Sequence, residues 1–321
     1  MKITITGDLG SGKSSVAKKL CQELRYIYIS TGQFHREIAS EYGVNALELN
    51  ELAETDRTID ERVDSLLIEM NEKDENAIID SRMGWHFVKE ALKIYLQVDQ
   101  EIGVERILLD KGRHNEPKYQ DQNSARKKLM ERKLIENKRF QQRYNVDCSD
   151  LNNYDVIVNT TLLSITEVAD LIIDLMEIRR RNQYFAKFWI PPKLLYPTEH
   201  VRLLASEETK ELRSKMKRDG FDFQNPVQAV LYEGFYFIWN GHKRVSAALL
   251  NDIKAIPVEV IAKNDGEIHE GHSVRLFVSM ALNKSWYYDW EDAHKFHFYK
   301  YPDNLFGKEQ GPEGKSYAPH V

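Results

Sequence analysis

Cysteine is nearly missing from this sequence: Cys21 and Cys148 are the only two in 321 residues. Cys21 also falls on the apolar side of a helical pattern, so neither a disulfide framework nor a cysteine metal cluster is expected. A reducing, cytoplasmic setting follows. No apolar run approaches the roughly 20 residues that cross a bilayer. A strand and a glycine-rich loop begin directly after Met1, so no signal peptide is expected. No membrane partner is expected. An excess of positive charge is missing as well, since 45 Lys and Arg stand against 50 Asp and Glu for a net charge of −5. That is not the balance of a dedicated nucleic-acid binder, although it leaves room for local basic patches. Domains usually hold about 100 to 200 residues, so a chain of this length predicts two.

What is present begins with Gly7, Asp8, Leu9, Gly10, Ser11, Gly12, Lys13 and Ser14, which read G-x-x-x-x-G-K-S. The apolar run Ile3 to Thr6 precedes them, and Val16, Ala17, Leu20, Cys21 and Leu24 follow at helical spacing. This is the strand, loop and helix context of a phosphate-binding loop. Small residues let the backbone curl round a polyphosphate with its N–H groups inward, and the helix start adds its positive dipole end. Gly7, Gly10, Ser11, Gly12, Lys13, Ser14 and Ser15 are therefore the predicted ATP-binding residues. Lys13 would reach the β and γ phosphates, and the Ser14 hydroxyl would ligate Mg²⁺.

Strand signals at Ile3–Thr6, Tyr26–Ile29, Ala77–Asp80, Leu92–Val98 and Asp155–Asn159 alternate with helical patterns. The alternation predicts an α/β domain over 1–183, a parallel sheet with helices on both faces. Trp189, Ile190, Pro191, Pro192 and Pro197 read as a linker or domain entry. A helix over 206–218, a hairpin of Val227–Tyr232 and Phe235–Trp239, a helix over 242–251 and a strand over 256–261 then predict a smaller α+β domain, 187–303 with a helical extension. The tail, 304–321, is expected to be irregular.

Ser30, Thr31, Gly32, Gln33, Phe34, His35 and Arg36 stand at the end of the second predicted strand, and Asp80, Ser81, Arg82, Met83, Gly84 and Trp85 at the end of the third. Together with Asn45 to Asp64 and the segment Arg132 to Asn159, their order and spacing resemble cytidylate kinases, especially the short archaeal type, over roughly the first 180 residues. The resemblance implies an acceptor region opened by Ser30, Gly32 and Arg36. It also implies a region near Asp60 and Asp64 that closes over the acceptor base, and a lid formed from Lys111 to Arg143.

The residues themselves are readable in the same terms. Arg36 and Arg82 sit where strands run out at the carboxyl edge of the sheet, where open α/β folds bind ligands. A guanidinium there offers a rigid fork for an acceptor's phosphate, with a surface salt bridge as the alternative. Asp80 would orient magnesium or accept the acceptor's proton, or else cap a helix. Asp60 and Asp64 would read an exocyclic amine, or form a solvated acidic face. The segment Lys111 to Arg143 carries eleven Lys or Arg residues. Within it Arg132, Arg139 and Arg143 share a helical face, where they would converge on the transferring phosphate or stay solvated. With Lys13 and Asp80, these arginines complete the predicted catalytic set.

Residues 187–263 resemble the ParB and sulfiredoxin superfamily through Pro191 with Leu194, through Asn225, Pro226 and Val227, and through Trp239 to Arg244. The resemblance implies a second phosphate site at Asn240, Gly241, His242, Lys243 and Arg244, a turn at a helix start; the alternative is a hairpin exit capped by Asn240. No thiol stands at that turn, which excludes sulfiredoxin chemistry. The aromatic-rich stretch Trp286 to Tyr301 is expected in a core or domain interface, with base stacking as the alternative.

The leading expectation is an ATP- and Mg²⁺-dependent kinase acting on a pyrimidine nucleotide. A second reading is a kinase for a hydroxymethylated pyrimidine base in phage DNA, with the ParB-like domain engaging DNA and the base presented outside the stack. A third is a nucleotide-gated DNA-binding regulatory module.

Overall fold

The apolar and amphipathic stretches of the first half become β1 (Lys2–Gly7), α1 (Lys13–Leu24), β2 (Ile27–Ser30), α2 (Thr31–Glu41), α3 (Ala46–Thr55), α4 (Arg57–Glu72), β3 (Ala77–Asp80), α5 (Gly84–Phe87), β4 (Leu92–Gln97), α6 (Gln100–Leu109), α7 (Gln122–Tyr144), β5 (Val156–Asn159), α8 (Ile165–Arg180) and β6 (Phe188–Ile190). The computed structural model describes residues 1–109, 122–204, 206–268, 271–302 and 305–306. The predicted tail falls outside them except for Leu305 and Phe306.

The first unit comprises Met1–Pro191, Phe223–Asn225 and Lys254–Val258. Strands β2-β3-β1-β4-β5-β6 lie in that order and pair parallel. The register sets Ile5 of β1 and Ser30 of β2 opposite Asp80 of β3, so the carboxyl ends of the central strands share one edge. Ile3 to Thr6 and all of β3 are buried, as expected of a sheet covered on both faces. Val16, Ala17 and Leu20 of α1 join Val168, Ile172, Leu175 and Met176 of α8 against Ile3, Ile5, Ile94, Leu96 and Val158. α8 is started by a capping box in which Ser164 and Glu167 satisfy each other's backbone N–H. The unit is mixed α/β with a mostly parallel sheet and flanking helices.

One departure from the sequence reading lies at Trp189. The stretch expected as a linker or domain entry contains β6, which continues the parallel sheet beside β5. Trp189 is buried, and its indole N–H donates to the Ala186 carbonyl at 3.0 Å. Pro191 and Pro192 end the strand instead of excluding it. Phe223 returns to the Trp189 ring at 5.4 Å, and Ile256–Val258 pair antiparallel with β6.

The second unit takes Pro192–Asp222, Pro226–Ile253 and the chain from Glu259 onward. Its elements are β7 (Leu195–Tyr196), α9 (Glu207–Asp219), β8 (Val227–Tyr232), β9 (Phe235–Asn240), α10 (His242–Leu250), the second part of β10 (Ile256–Lys263), α11 (Val274–Ala281) and α12 (Lys284–His294). β8 and β9 form an antiparallel hairpin whose turn residues Glu233 and Gly234 both have positive φ, 48° and 84°. β7 runs parallel to β9. Tyr287 and Trp290 of α12 are buried, and Tyr196 stacks on Phe298 at 5.0 Å, so much of the aromatic-rich stretch is core.

Among the described residues no group of three His, Cys, Asp or Glu is placed to hold a metal ion. Nor is any described helix long and apolar enough to cross a membrane.

Candidate phosphoryl-transfer site

The glycine-rich loop joins β1 to α1 under tight steric demands. A Cβ at Gly10, whose φ is 79°, would lie 2.1 Å from the Gly103 carbonyl oxygen on α6. Gly12 starts α1 in the left-handed region, with φ of 87°. The floor is braced from β5's end: the Thr160 hydroxyl donates to the Ser11 carbonyl at 3.2 Å, and Arg106 donates to the Thr160 carbonyl at 2.9 Å.

Lys13 curls back over this loop, its Nζ donating to the carbonyls of Gly7 and Asp8 at 3.2 and 3.1 Å. The exposed Ser14 hydroxyl donates to Asp80 Oδ2 at 2.6 Å, at the carboxyl end of β3, while Ser15 is exposed beside it. Tyr28 donates to the same oxygen at 3.2 Å. Burial, and then the Asp80 charge, pushes the Tyr28 phenol up to about 12. A hydroxyl and a carboxylate meeting at the helix start are hard oxygen donors of the kind Mg²⁺ selects, so these residues fit that ion.

The acceptor-side residues are distributed along the same edge. Ser30 caps α2, accepting from the Gln33 N–H at 3.2 Å. Gly32 and Arg36 are exposed in the first turns of α2, and Arg36 has no ion pair among the described residues. Arg82 is held by the buried Glu136 of α7, Nε to Oε2 2.7 Å.

The inner face of α7 runs along α4. Arg139 and Arg143 both approach the buried Asp60, at 3.9 and 3.6 Å, and Arg139 donates to Asn50 Oδ1 at 3.2 Å. Tyr144 donates to Asp64 at 2.8 Å. Burial raises Asp64 above the usual carboxylate range despite that bond, and raises the Tyr144 phenol as well. Arg139 and Arg143 thus share a face as their spacing predicts, but in this structure they meet carboxylates of α4. Arg132 lies in α7 with its side chain outside the described residues. A cavity opens at the end of β1, lined by Gly7, Arg82, Tyr95, Lys133, Asn137 and Ser149 among others.

A profile described as "Cytidylate kinase-like family" matches residues 2–162. The chain belongs to the cytidylate kinase-like family. It is a phosphotransferase by that membership. A cytidylate kinase of Saccharolobus islandicus is 34% identical over 185 residues, covering 57% of this chain and 94% of that enzyme. One from Sulfolobus acidocaldarius is 34% identical over 188 residues, 58% of this chain and 98% of its own. An S-adenosylmethionine-dependent nucleotide dehydratase of Lacinutrix mariniflava is 35% identical over 175 residues, 54% of this chain. The chain spans only 35% of that dehydratase's length. Among solved structures, a shikimate kinase from Bacteroides thetaiotaomicron overlaps 55% of this chain at 15% identity, with a TM-score of 0.42.

Several residues that shape this kinase-like site escaped sequence reasoning. Asp8 accepts from the Tyr95 hydroxyl, the Val98 N–H and Lys133, at 2.8, 3.2 and 2.8 Å. Glu136 and Tyr144 are the others. All of their partners are distant in sequence, so no local signal marks the pairs.

At the second predicted phosphate turn, Gly241 starts α10 with φ of 116°. Arg244 donates to the Pro226 carbonyl at 2.6 Å, and Lys243 pairs with Glu208. His242 is buried and its Nε2 accepts from the Thr198 N–H at 3.0 Å; burial lowers its pKa to about 4 and keeps it neutral. Asn240 ends β9 exposed.

Proposed function

We propose that the chain transfers the γ-phosphoryl group of ATP to the phosphate of a pyrimidine nucleotide. The observation that carries this reading is the Ser14–Asp80 contact of 2.6 Å beside Lys13, with Arg82 two residues beyond Asp80. The loop's N–H groups and the start of α1 cradle the polyphosphate. Lys13, which donates to the Gly7 and Asp8 carbonyls, turns to the phosphates when they arrive. Ser14 and Asp80 would hold Mg²⁺, which would supply neutralisation of charge on the phosphates. Arg36 and Arg82 grip the acceptor's phosphate, with Ser30 and Gly32 shaping the entry beside them. Asp60 and Asp64, with Arg139 and Arg143, close over the acceptor base and the transferring group.

The relatives named cytidylate kinase support a pyrimidine acceptor, and the relative named nucleotide dehydratase supports nucleotide handling. A DNA-level acceptor draws on the basic character of α7. Lys133, Arg139 and Arg143 there each face a carboxylate, which leaves less free charge for a polymer. A simple nucleotide switch has no use for the exposed Arg36. In the second unit, a ParB-like turn at Asn240–Arg244 would hold phosphate through backbone N–H groups, because the side chains of His242, Lys243 and Arg244 already have protein partners. Transfer of labelled phosphate from ATP to CMP, dependent on Mg²⁺, tests the reading.

A further inference from the structure

α7 reaches the glycine-rich loop through Lys133, whose Nζ lies 2.8 Å from Asp8 Oδ1. Asp8 is part of the loop itself, and its backbone carbonyl also holds Lys13. The Asp8 carboxylate is fixed from the sheet side by Tyr95 and by the Val98 N–H. Further polar contacts of α7 lead elsewhere, among them Glu136 to Arg82, Arg139 and Arg143 to Asp60, and Tyr144 to Asp64. Lys133 is 40% exposed and, with Gly7, Arg82, Asn137 and Ser149, lines the cavity at the end of β1.

A carboxylate inside a polyphosphate loop is electrostatically adverse, since like charges a few ångströms apart repel even near water. Pairing with an ammonium removes the conflict and ties the helix that carries the ammonium to the loop. The ammonium borders the same cavity as the loop's first glycine, so an anion entering there finds it within reach.

We propose that Asp8 and Lys133 form a clasp that couples occupancy of the phosphate loop to the docking of α7. With the loop empty, Asp8 holds Lys133. When a polyphosphate fills the loop, its oxygens become a second and stronger anionic partner for the same ammonium, and α7 is held more firmly. Only this second half rests on the reading of the loop as an ATP site.

Hydrogen exchange of the α7 amides around Lys133, measured on the full chain with and without ATP, tests both halves. Without nucleotide, Asp8→Asn and Lys133→Met should each speed exchange there roughly 3- to 10-fold, the scale of one partly exposed charge-assisted contact. The double variant should be no faster than either single one. With ATP, Asp8→Asn and Lys133→Arg should regain protection, whereas Lys133→Met should not. Unchanged exchange in both nucleotide-free single variants, or additive acceleration in the double, overturns the clasp. Protection of Lys133→Met by ATP equal to that of the parent chain overturns the coupling. Calorimetric titration of the parent chain separates the two ideas: no ATP binding refutes the ATP-site reading and the coupling with it, while the nucleotide-free arm still decides the clasp.

Discussion

Ser14 and Asp80 stand 66 residues apart in the chain, and the Ser14 hydroxyl donates to the Asp80 carboxylate at 2.6 Å. The parallel register of β1 and β3 makes the contact, because it brings the end of β3 level with the loop that leaves β1. Asp80 caps no helix in this arrangement: it faces the hydroxyl that opens α1. Phosphoryl transfer depends on positioned charge, so the chemistry should fail when either element is removed.

Lys13→Ala and Asp80→Asn are therefore expected to lower the turnover rate by roughly 10²-fold or more, with circular dichroism unchanged. Asp80→Asn should in addition raise the Mg²⁺ concentration needed for half-maximal rate. Near-parental rates in Lys13→Ala would contradict the role given to the loop.

Arg36 and Arg82 should part company when truncated. Arg36→Ala removes an exposed side chain and should cost roughly 2 to 4 kcal/mol in acceptor specificity while leaving the melting temperature in place. Arg82→Ala removes the guanidinium that pairs with the buried Glu136, so it should also destabilise the fold, by roughly 1 to 3 kcal/mol. Specificity constants for ATP and acceptor, read beside melting curves, check both; equal losses on the two substrates for Arg36→Ala would remove it from the acceptor site.

Ending the chain after Phe185 deletes β6 and the buried Trp189, whereas ending it after Pro191 keeps both. The shorter chain should be less stable by roughly 3 to 5 kcal/mol, the cost of emptying a large aromatic site. The longer one should keep transfer to a free nucleotide. Denaturant titrations of the two chains give the difference, and identical midpoints would show that β6 contributes nothing.

His242 predicts an acid limb for the second unit. Its folded pKa of about 4 lies below the ordinary 6.5, so the unfolded chain binds the proton more readily. The stabilisation is complete above pH 6.5 and is lost as the pH falls toward 4, on the order of 3 kcal/mol in all. Buried His294, also lowered, adds to the same limb. His242→Gln should flatten the slope of stability between pH 6.5 and 4, measured by urea denaturation; an unchanged slope would assign the limb to other groups.

The strands and the loop were legible because their signals are local. Apolar runs such as Ala77–Asp80 announce buried strands, and G-x-x-x-x-G-K-S encodes its own geometry. β6 was hidden because Pro191 and Pro192 follow it at once, and prolines end a strand as readily as they break a helix. The face shared by Arg139 and Arg143 was visible in their spacing, but their partner Asp60 sits on another helix about 80 residues earlier. Asp8 and Lys133, 125 residues apart, carry no mutual signal in one sequence. That the His242 ring is buried against Thr198 could not be read from a sequence that shows only a histidine at a helix start.

Labelled-phosphate transfer from ATP, run side by side on CMP, dCMP, UMP and DNA containing hydroxymethylated pyrimidines, tests the central claim most directly. If that claim holds, Mg²⁺-dependent label appears on a free pyrimidine nucleotide, with little or none on DNA. Label confined to DNA, or ATP hydrolysis with no labelled acceptor at all, would contradict it.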